Sequence, residues 1–304
     1  MEMRRNKRNP VLPGLYADPD LAVFGEKYYL YPTTDGFDGW SGWQFHVFVS
    51  DDGEVWKDGG MILDLKSDEV PWAAGHAWAP AIAEYQGRYY YYFCGKRPDG
   101  KSCIGAAFAE TPTGPFTAMP VPLVTPELLM AEKITFGQVI DPSVYIEDGI
   151  PYLLFGNGVG LIVQLGDDMV SLVPGTMKIL EGLYDFREAV SVFKRGGLYH
   201  FTWSCDDTGS EDYHVNYGTS DHLKGPVQYR YPILEKCSEK AILGTGHHSV
   251  CQLPGNKGYL IAYHRFGTPL VNYPEGKKGF HREVCLDSLT FDESGLIRPV
   301  VPTL

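Results

Sequence analysis

A short aromatic strand pattern recurs five times along the chain, each time after a turn. A residue suited to chemistry or binding precedes each copy, namely Asp18, the region of Trp78, Asp141, Glu188 and His247. Similar units joined into a ring would bring these five positions together at one axis. The five segments are residues 27–32 (KYYLYP), 88–93 (RYYYYF), 151–155 (PYLLF), 198–203 (LYHFTW) and 258–263 (GYLIAY).

Strand patterns also dominate the sequence between these segments. Each repeat continues with another β-like run and a turn, as in QFHVFVS at 44–50 followed by DDG. Short runs separated by Gly, Pro and Asp turns predict an all-β fold, and four strands per unit are typical of a propeller blade. We therefore predict a five-bladed β-propeller spanning residues 1–304 as a single catalytic domain. A β-sandwich is the alternative, but it would not explain the recurring polar positions.

The chain carries a formal charge of -12, from 38 acidic and 26 basic residues. This charge repels phosphate backbones, so we expect no nucleic acid partner, whereas a neutral sugar is compatible with it. No apolar run approaches the length of a membrane span, so no membrane partner is expected. Residues 1–9 are basic and precede no apolar stretch, so we expect no signal peptide in this chain. The compartment is periplasmic or extracellular if a signal was removed, and cytoplasmic otherwise.

Six cysteines lie far apart without CxxC pairs. This distribution matches neither a zinc site nor a small disulfide scaffold, and we expect buried free thiols. A disulfide between Cys94 and Cys103 across one hairpin is the alternative. Histidines at zinc-ligand spacing are absent from the sequence, so neither a catalytic metal nor an organic cofactor is expected.

Three carboxylates stand at similar places in three repeats. Asp18 and Asp141 each precede a proline, which holds the residue before it in an extended conformation. Glu188 has nearly the same spacing to the next aromatic segment, so we expect it to share their register. Three carboxylates crowded in a cleft cannot all ionise easily, and at least one pKa should rise. A protonated acid beside an ionised base is the requirement for glycoside hydrolysis.

The motifs together, over about residues 9–303, resemble glycoside hydrolase family 43. One departure is that Glu188 stands in REA where many members have Glu-Gly-Pro. The motifs are LPGLYADPD (12–20), HAWAPAI (76–82), VIDPSV (139–144), FREAVSVFKRGGLYHFTWS (186–204), GTGHHSV (244–250), YHRF (263–266) and HREVCLDSLTFDESGLIRPVVPT (281–303).

The resemblance implies a five-bladed propeller enzyme that acts on arabinose- and xylose-containing polysaccharides with inversion. It implies that Asp18 is the general base, that Glu188 is the general acid, and that Asp141 orients the acid and raises its pKa. Base and acid should then stand roughly 6.5 to 9.5 Å apart to admit a water molecule. It also places His247 at the central channel, where many members hold a structural calcium ion or its water shell; a buried histidine closing the axis is the alternative.

Three further residues are candidates for sugar contacts. Trp78 stands where the second blade would present a side chain to the pocket, and a flat indole suits stacking on a sugar ring. A core tryptophan between blades is the other interpretation. Trp40 lies in a Gly-rich loop that could rim the cleft. Arg265 matches a position where the family offers a cation to substrate hydroxyls, although an ion pair would explain it as well.

We expect an inverting exo-enzyme that releases terminal α-L-arabinofuranose from arabinan- or arabinoxylan-derived plant cell-wall glycans. A β-xylosidase and an endo-acting xylanase or arabinanase are the alternatives within the family. A non-catalytic carbohydrate-binding propeller is the alternative from another class. It should have lost one of the carboxylates, and all three are present.

Overall fold

The computed structural model describes residues 9–274 and 276–304 of the chain. Within these residues, antiparallel sheets form a ring of five blades, which confirms the predicted all-β five-bladed propeller. Four sheets have four strands and the fifth has three. A short helix, α1 (Pro126–Ala131), and several 3₁₀ turns lie in the connections. None of the helices in the described residues is long and apolar enough to cross a membrane.

The strands of each blade follow one another in chain order from the axis outwards. Blades 1 and 2 consist of β1 (Tyr16–Phe24), β2 (Lys27–Thr34), β3 (Gln44–Ser50), β4 (Lys57–Asp64), β5 (Trp78–Tyr85), β6 (Arg88–Lys96), β7 (Ser102–Ala109) and β8 (Thr117–Ala118).

The remaining three blades repeat this hairpin pattern. Their strands are β9 (Ser143–Glu147), β10 (Ile150–Phe155), β11 (Leu161–Gln164), β12 (Lys178–Ile179), β13 (Glu188–Arg195), β14 (Leu198–Cys205), β15 (His214–Ser220), β16 (Gln228–Leu234), β17 (Gly246–Gln252), β18 (Tyr259–Phe266) and β19 (Arg282–Leu289).

The ring closes where blade 5 meets blade 1. The innermost strand β1 packs against β5 on one side and β17 on the other. Blade 5 gains a partner for β19 from the first described residues, since the Val11 N–H donates to the Val284 carbonyl at 2.9 Å. The Leu286 N–H donates to Oδ1 of Asn9 at 2.9 Å in the same segment. Hydrogen bonds from Asn9 and Val11 to β19 therefore stabilise the outer edge of blade 5.

The core consists of five apolar clusters, one between each pair of neighbouring blades. The recurring aromatic segments are the second strands of the blades, and both of their faces are buried. On β6, for example, Tyr91 packs in the cluster between blades 1 and 2, while Tyr92 packs in the cluster between blades 2 and 3. Burial on both faces explains why apolar residues dominate these strands, although β14 also buries His200, Thr202 and Ser204 between its aromatic residues.

A residue with a positive φ lies at or just before the start of each innermost strand, where side chains face the axis. These residues are Asp18 (48°), Ala79 (41°), Asp141 (62°), Ala189 (57°) and His247 (41°). In four blades the pairing with the second strand also shifts at this point. Such bulges bend a strand and redirect its side chains, and they are frequent next to active sites.

The expected common register of the three acids is wrong by one residue. Asp18 and Asp141 occupy the position with the positive φ, whereas Glu188 lies one residue before it, because Ala189 is the residue with the positive φ in blade 4. Trp78 occupies the same pre-bulge position in blade 2, before Ala79. A bulge places two residues of one strand opposite a single partner residue. Both positions therefore reach the axial pocket.

The cysteines are free thiols in the described residues, as expected, but Cys237 and Cys251 are only half-buried, whereas the other four are buried. Cys94 and Cys103 lie on the adjacent strands β6 and β7 and are both fully buried. The Cys94 Sγ accepts a hydrogen bond from the Asp141 N–H at 3.1 Å. The Cys94 thiol therefore helps to hold the backbone at Asp141, one of the three acids.

Candidate active site

A pocket at one mouth of the propeller brings the three acids together. Their side chains come from three different blades, and each acid is at most 7% exposed. The sequence interpretation of convergence at the axis therefore agrees with the structure. The lining residues are Asp18, Trp40, Trp78, Gln138, Ile140, Asp141, Arg187, Glu188, Asp207, Thr208, His247 and Arg282.

Asp18 is surrounded by hydrogen-bond donors. Its Oδ1 accepts from Nη1 of Arg282 at 3.0 Å and lies 3.0 Å from Nδ1 of His264 and 3.4 Å from Nδ1 of His247. Burial alone would raise the pKa of Asp18, but Arg282 and the two imidazoles outweigh it and hold this pKa well below its ordinary value. Asp18 is therefore an ionised carboxylate near neutral pH.

The two histidines beside Asp18 are neutral. Burial is the main cause that lowers the pKa of His247 below its usual range and that of His264 to about 4. Nδ1 of His264 accepts a hydrogen bond from the Asp18 N–H at 3.3 Å, and Nε2 has no partner among the described residues. His264 therefore contacts Asp18 through both its backbone and its carboxylate.

Glu188 lies in an opposite electrostatic environment. Its Oε2 accepts from Nδ2 of Asn157 at 2.8 Å, and its Oε1 accepts from the Tyr213 hydroxyl at 2.9 Å. Burial raises the pKa of Glu188 above its ordinary value, and the charge of Asp18 adds to this, although both donors and the Arg187 guanidinium at 3.7 Å act against it. The net direction favours a protonated carboxyl.

Asp141 completes the group of acids. Burial, followed by the negative charges of Glu188 and Asp18, raises its pKa well above the usual range. Its Oδ2 has no hydrogen-bond partner in the part of the chain that the structure describes and lies 3.7 Å from Nδ1 of His247. Its proximity to Glu188 opposes simultaneous ionisation of the two groups, which keeps a proton available in this half of the pocket.

The pKa values of two carboxyl groups in the pocket are thus shifted in opposite directions, that of Asp18 down and that of Glu188 up. An ionised Asp18 can remove a proton from water, and a protonated Glu188 can give a proton to a leaving oxygen. Together they supply the base and the acid that hydrolysis of an acetal requires.

The structure places Trp78 and Trp40 at the pocket, as the sequence predicts. The Trp78 Nε1–H donates to the Trp40 carbonyl at 2.6 Å, and the Trp40 Nε1–H donates to the Gly279 carbonyl at 3.0 Å. The Trp40 ring also packs edge-on against Phe280 at 5.4 Å. Loops from blades 1 and 5 thereby hold two indole rings at the mouth.

We expect Trp78→Ala to raise KM by about 10-fold with a smaller change in kcat, because a sugar-stacking ring binds substrate and transition state alike. Trp78→Phe is the matched control, since it keeps a flat ring and should retain most of the affinity. Steady-state kinetics on the best substrate measure both values. An unchanged KM in Trp78→Ala would contradict the stacking role.

The structure does not bring Arg265 to the pocket. Arg265 is fully buried in blade 5, where its Nε–H donates to Glu283 Oε1 at 2.7 Å and its Nη1 donates to the Thr303 carbonyl at 2.8 Å. The expected substrate contact is therefore corrected to a buried ion pair. On β18 its neighbour His264 is the residue that contacts the pocket acid Asp18, and successive strand residues point to opposite faces.

The cation beside Asp18 is Arg282, which the sequence analysis did not identify as a site residue. Its guanidinium donates to Asp18 and also forms hydrogen bonds with both carboxylate oxygens of Asp35 at 2.9 and 3.2 Å. Arg282 lies in the HREV segment that contributed to the family resemblance. That segment was the available indication, but nothing in its local pattern marks which charged residue faces the axis.

Removing Arg282 is expected to shift the acid limb of the kcat/KM profile to higher pH. Arg282 is the main group that lowers the pKa of Asp18, so without it Asp18 should protonate at a higher pH and the base should be lost sooner on acidification. Combining Arg282→Met with Asp35→Asn avoids leaving Asp35 as a buried unpaired charge.

Arg265→Met with Glu283→Gln is the matched control, because it removes a buried ion pair of the same kind outside the pocket. It should lower the melting temperature without moving the acid limb. If the two double variants had the same pH profile of kcat/KM, Arg282 would not be the group that lowers the pKa of Asp18.

The described residues contain no group of three or more His, Cys, Asp or Glu side chains arranged to hold a metal ion. His247 contributes one imidazole beside Asp18 and Asp141. Calcium prefers six to eight oxygen ligands, so these residues fit only an ion that keeps most of its water.

The sequence model of glycosyl hydrolases family 43 matches residues 7–297. A beta-D-galactofuranosidase of Aspergillus niger is 33% identical over 97% of this chain and 85% of its own length. Xylosidase/arabinosidase 43A of Humicola insolens is 30% identical over 81% of this chain and 87% of its own length.

A solved structure with the same fold is that of a beta-xylosidase/alpha-arabinofuranosidase from a compost microbial metagenome, in complex with xylotriose and in a calcium-free form. It superposes with a TM-score of 0.78 at 25% identity, covering 96% of each chain. A family match over nearly the whole sequence, an identity above 30% and the shared propeller agree with the acids found at the axis. The chain is a glycoside hydrolase of family 43.

Proposed function

We propose that this enzyme hydrolyses terminal α-L-arabinofuranosyl bonds with inversion, using Asp18 as base and Glu188 as acid. The observation that carries the proposal is that two buried carboxyl groups in one pocket have pKa values shifted in opposite directions, down for Asp18 and up for Glu188. Relatives from Humicola insolens and Bacteroides ovatus are named xylosidase/arabinosidase, which supports a pentose as the substrate sugar. The natural partners would be arabinan- or arabinoxylan-derived oligosaccharides of plant cell walls.

The mechanism needs a single displacement. Asp18 takes one proton from a water molecule as the oxygen of that water attacks the anomeric carbon. The bond to the leaving oxygen breaks, and Glu188 gives its proton to that oxygen. Arg282 keeps Asp18 ionised, and His264 accepts from the Asp18 N–H and so helps to orient it before attack. Asp141 lies near both His247 and Glu188, and the proximity of the two carboxyl groups opposes their simultaneous ionisation, which favours the proton that Glu188 must give.

A second candidate is the hydrolysis of β-D-galactofuranosyl bonds. It is favoured by the Aspergillus niger relative, which is named for that activity. The ring configuration of β-D-galactofuranose matches that of α-L-arabinofuranose, and galactofuranose adds one hydroxymethylene group outside the ring. One pocket could therefore bind both rings if it has space beyond the exocyclic carbon. Discrimination by one such group is small, about 10- to 200-fold.

Parallel assays would decide among these sugars. The aryl glycosides of α-L-arabinofuranose, β-D-galactofuranose and β-D-xylopyranose should be compared by kcat/KM, with Glu188→Gln as the inactive control on the natural oligosaccharides. We expect the arabinofuranoside to be the best substrate. A higher kcat/KM on either other glycoside would replace the arabinofuranosyl assignment, and no turnover on any of them would favour a carbohydrate-binding role.

The stereochemistry and the mode of attack need separate measurements. Proton NMR during hydrolysis should show first the anomer opposite to that of the substrate, and first appearance of the same anomer would exclude the single displacement. Linear arabinan and xylan should yield only the monosaccharide if the enzyme acts at chain ends. Oligosaccharide products at early times would instead indicate endo action.

Calcium belongs to this proposal only as a largely hydrated ion at the axis beside His247. Its support is that the solved structure of the compost relative is specified as a calcium-free form. We expect added calcium to raise the melting temperature above that in a chelator, because an ion bound only by the folded state stabilises it. Equal melting temperatures in calcium and in chelator would contradict calcium binding.

A further inference from the structure

We propose that Tyr213 and His264 form a stacked positioning pair that fixes the general acid relative to the general base. The inference rests on the proposed roles of Glu188 and Asp18. Neither ring lines the pocket, so both act through the acids and not on the sugar.

The pair connects the two acids across three blades. Tyr213, just before β15 in blade 4, donates its hydroxyl to Glu188 Oε1 at 2.9 Å. His264, on β18 in blade 5, lies 3.0 Å from Asp18 Oδ1 on β1 in blade 1. The two rings are nearly parallel, with centroids 5.5 Å apart and 8° between their planes. Base, imidazole, phenol and acid therefore form one continuous chain of contacts.

Close packing restricts the position of the Tyr213 ring. Tyr213 and His264 are both fully buried. A Cβ at Gly246 would lie 2.3 Å from Cε1 of Tyr213, so only glycine lets β17 approach this ring. A rigid phenol can hold a carboxyl in one orientation, which a flexible or solvated donor cannot do.

The hydroxyl also determines which oxygen positions remain for the proton of Glu188. Tyr213 occupies a lone pair of Oε1, and Asn157 occupies a lone pair of Oε2. The catalytic proton must use a lone pair that neither donor occupies. Both donors thus orient the carboxyl toward the pocket while leaving it free to carry the proton.

The direction of a pH effect follows from the groups around Glu188. A donor to a carboxylate stabilises its ionised form, so loss of the Tyr213 hydroxyl should raise the pKa of Glu188. The other charged or titratable groups that face Glu188 stay in place: Arg187, Asp18, Asp141 and Cys94.

The test compares Tyr213→Phe with Tyr217→Phe. Tyr217 is also fully buried on β15, but its hydroxyl lies 2.7 Å from Nδ1 of His200, away from the acids. In Tyr213→Phe we expect the alkaline limb of kcat/KM to move up by about one pH unit. We expect kcat on an oligosaccharide to fall about 10-fold with KM nearly unchanged, since a positioned acid loses its fixed orientation. Tyr217→Phe should change the melting temperature alone.

Gly246→Ala provides a second, independent variant. It displaces the same ring while keeping the hydroxyl, and it should reproduce the loss of kcat even if Tyr213→Phe does not fold. If Tyr213→Phe and Gly246→Ala had lower melting temperatures but kept the wild-type kcat and the wild-type alkaline limb of kcat/KM, the positioning role would be wrong. Tyr213 would then be an ordinary core residue. Failure of the proposed function would look different, as a wild-type enzyme with no glycosidase activity.

Discussion

Replacing Glu188 by glutamine is expected to lower kcat on an unactivated oligosaccharide by about 10²- to 10⁴-fold, the contribution typical of a positioned acid. Glutamine has nearly the same shape but no transferable proton. The fold should persist, because Asn157 can turn its amide to face the new group while the Tyr213 hydroxyl still finds an oxygen. The melting temperature should therefore stay near that of the wild-type enzyme.

The size of the loss should depend on the leaving group. An aryl glycoside with an acidic phenol needs little protonation, so Glu188→Gln should retain far more activity on it than on an oligosaccharide. Glu147→Gln, a carboxyl on β9 that bonds Lys194 at the surface, is the matched control and should keep full turnover. Equal losses on both classes of leaving group would contradict the role of Glu188 as acid.

Asp18→Asn is expected to lower kcat by a similar factor of about 10²- to 10⁴-fold, but on every substrate alike. The base acts on water and not on the leaving group, so an activated aryl group cannot compensate for its loss. Asparagine can keep its carbonyl oxygen toward Arg282 and His264, which should preserve the local structure. The measurement is kcat on an aryl glycoside and on an oligosaccharide.

Asp20→Asn is the matched control for this variant. Asp20 lies two residues further along β1, where burial raises its pKa to about 7 and its Oδ2 accepts from the Ile82 N–H at 2.7 Å. Asparagine keeps that acceptor, so turnover should remain. Retention of full activity by folded Asp18→Asn, or an equal loss in both variants, would exclude Asp18 as the specific base.

The repeat pattern was sufficient to predict the blades, because burial on both faces makes the second strand of each blade strongly apolar. The repeated Asp-Pro pairs pointed to Asp18 and Asp141, but the extended conformation expected before proline is wrong, because both residues have a positive φ, 48° and 62°. Glu188 was found through spacing and family resemblance. Its one-residue offset could not be predicted, because the bulge at Ala189 is defined by pairing with β14.

Donors to the acids were harder to predict because they come from other blades. Arg265 and Arg282 are both arginines within short motifs, and only the packing of blade 5 decides that the first pairs with Glu283 while the second reaches Asp18. Tyr213 and Asn157 stand in loops whose sequences resemble ordinary turns. Their hydrogen bonds to Glu188 span separations of 25 and 31 residues.

The sequence by itself determined the architecture, the family and the three carboxyls, because hydrophobic periodicity, turn residues and Asp-Pro pairs act over short distances along the chain. Only the tertiary structure decided that the pKa of Asp18 is lowered and that the pKa of Glu188 is raised. That difference depends on burial and on Arg282, His264 and Tyr213, which the closed ring brings from distant blades to the axis. Charges and donors act through space, and their distances are not set by spacing along the chain.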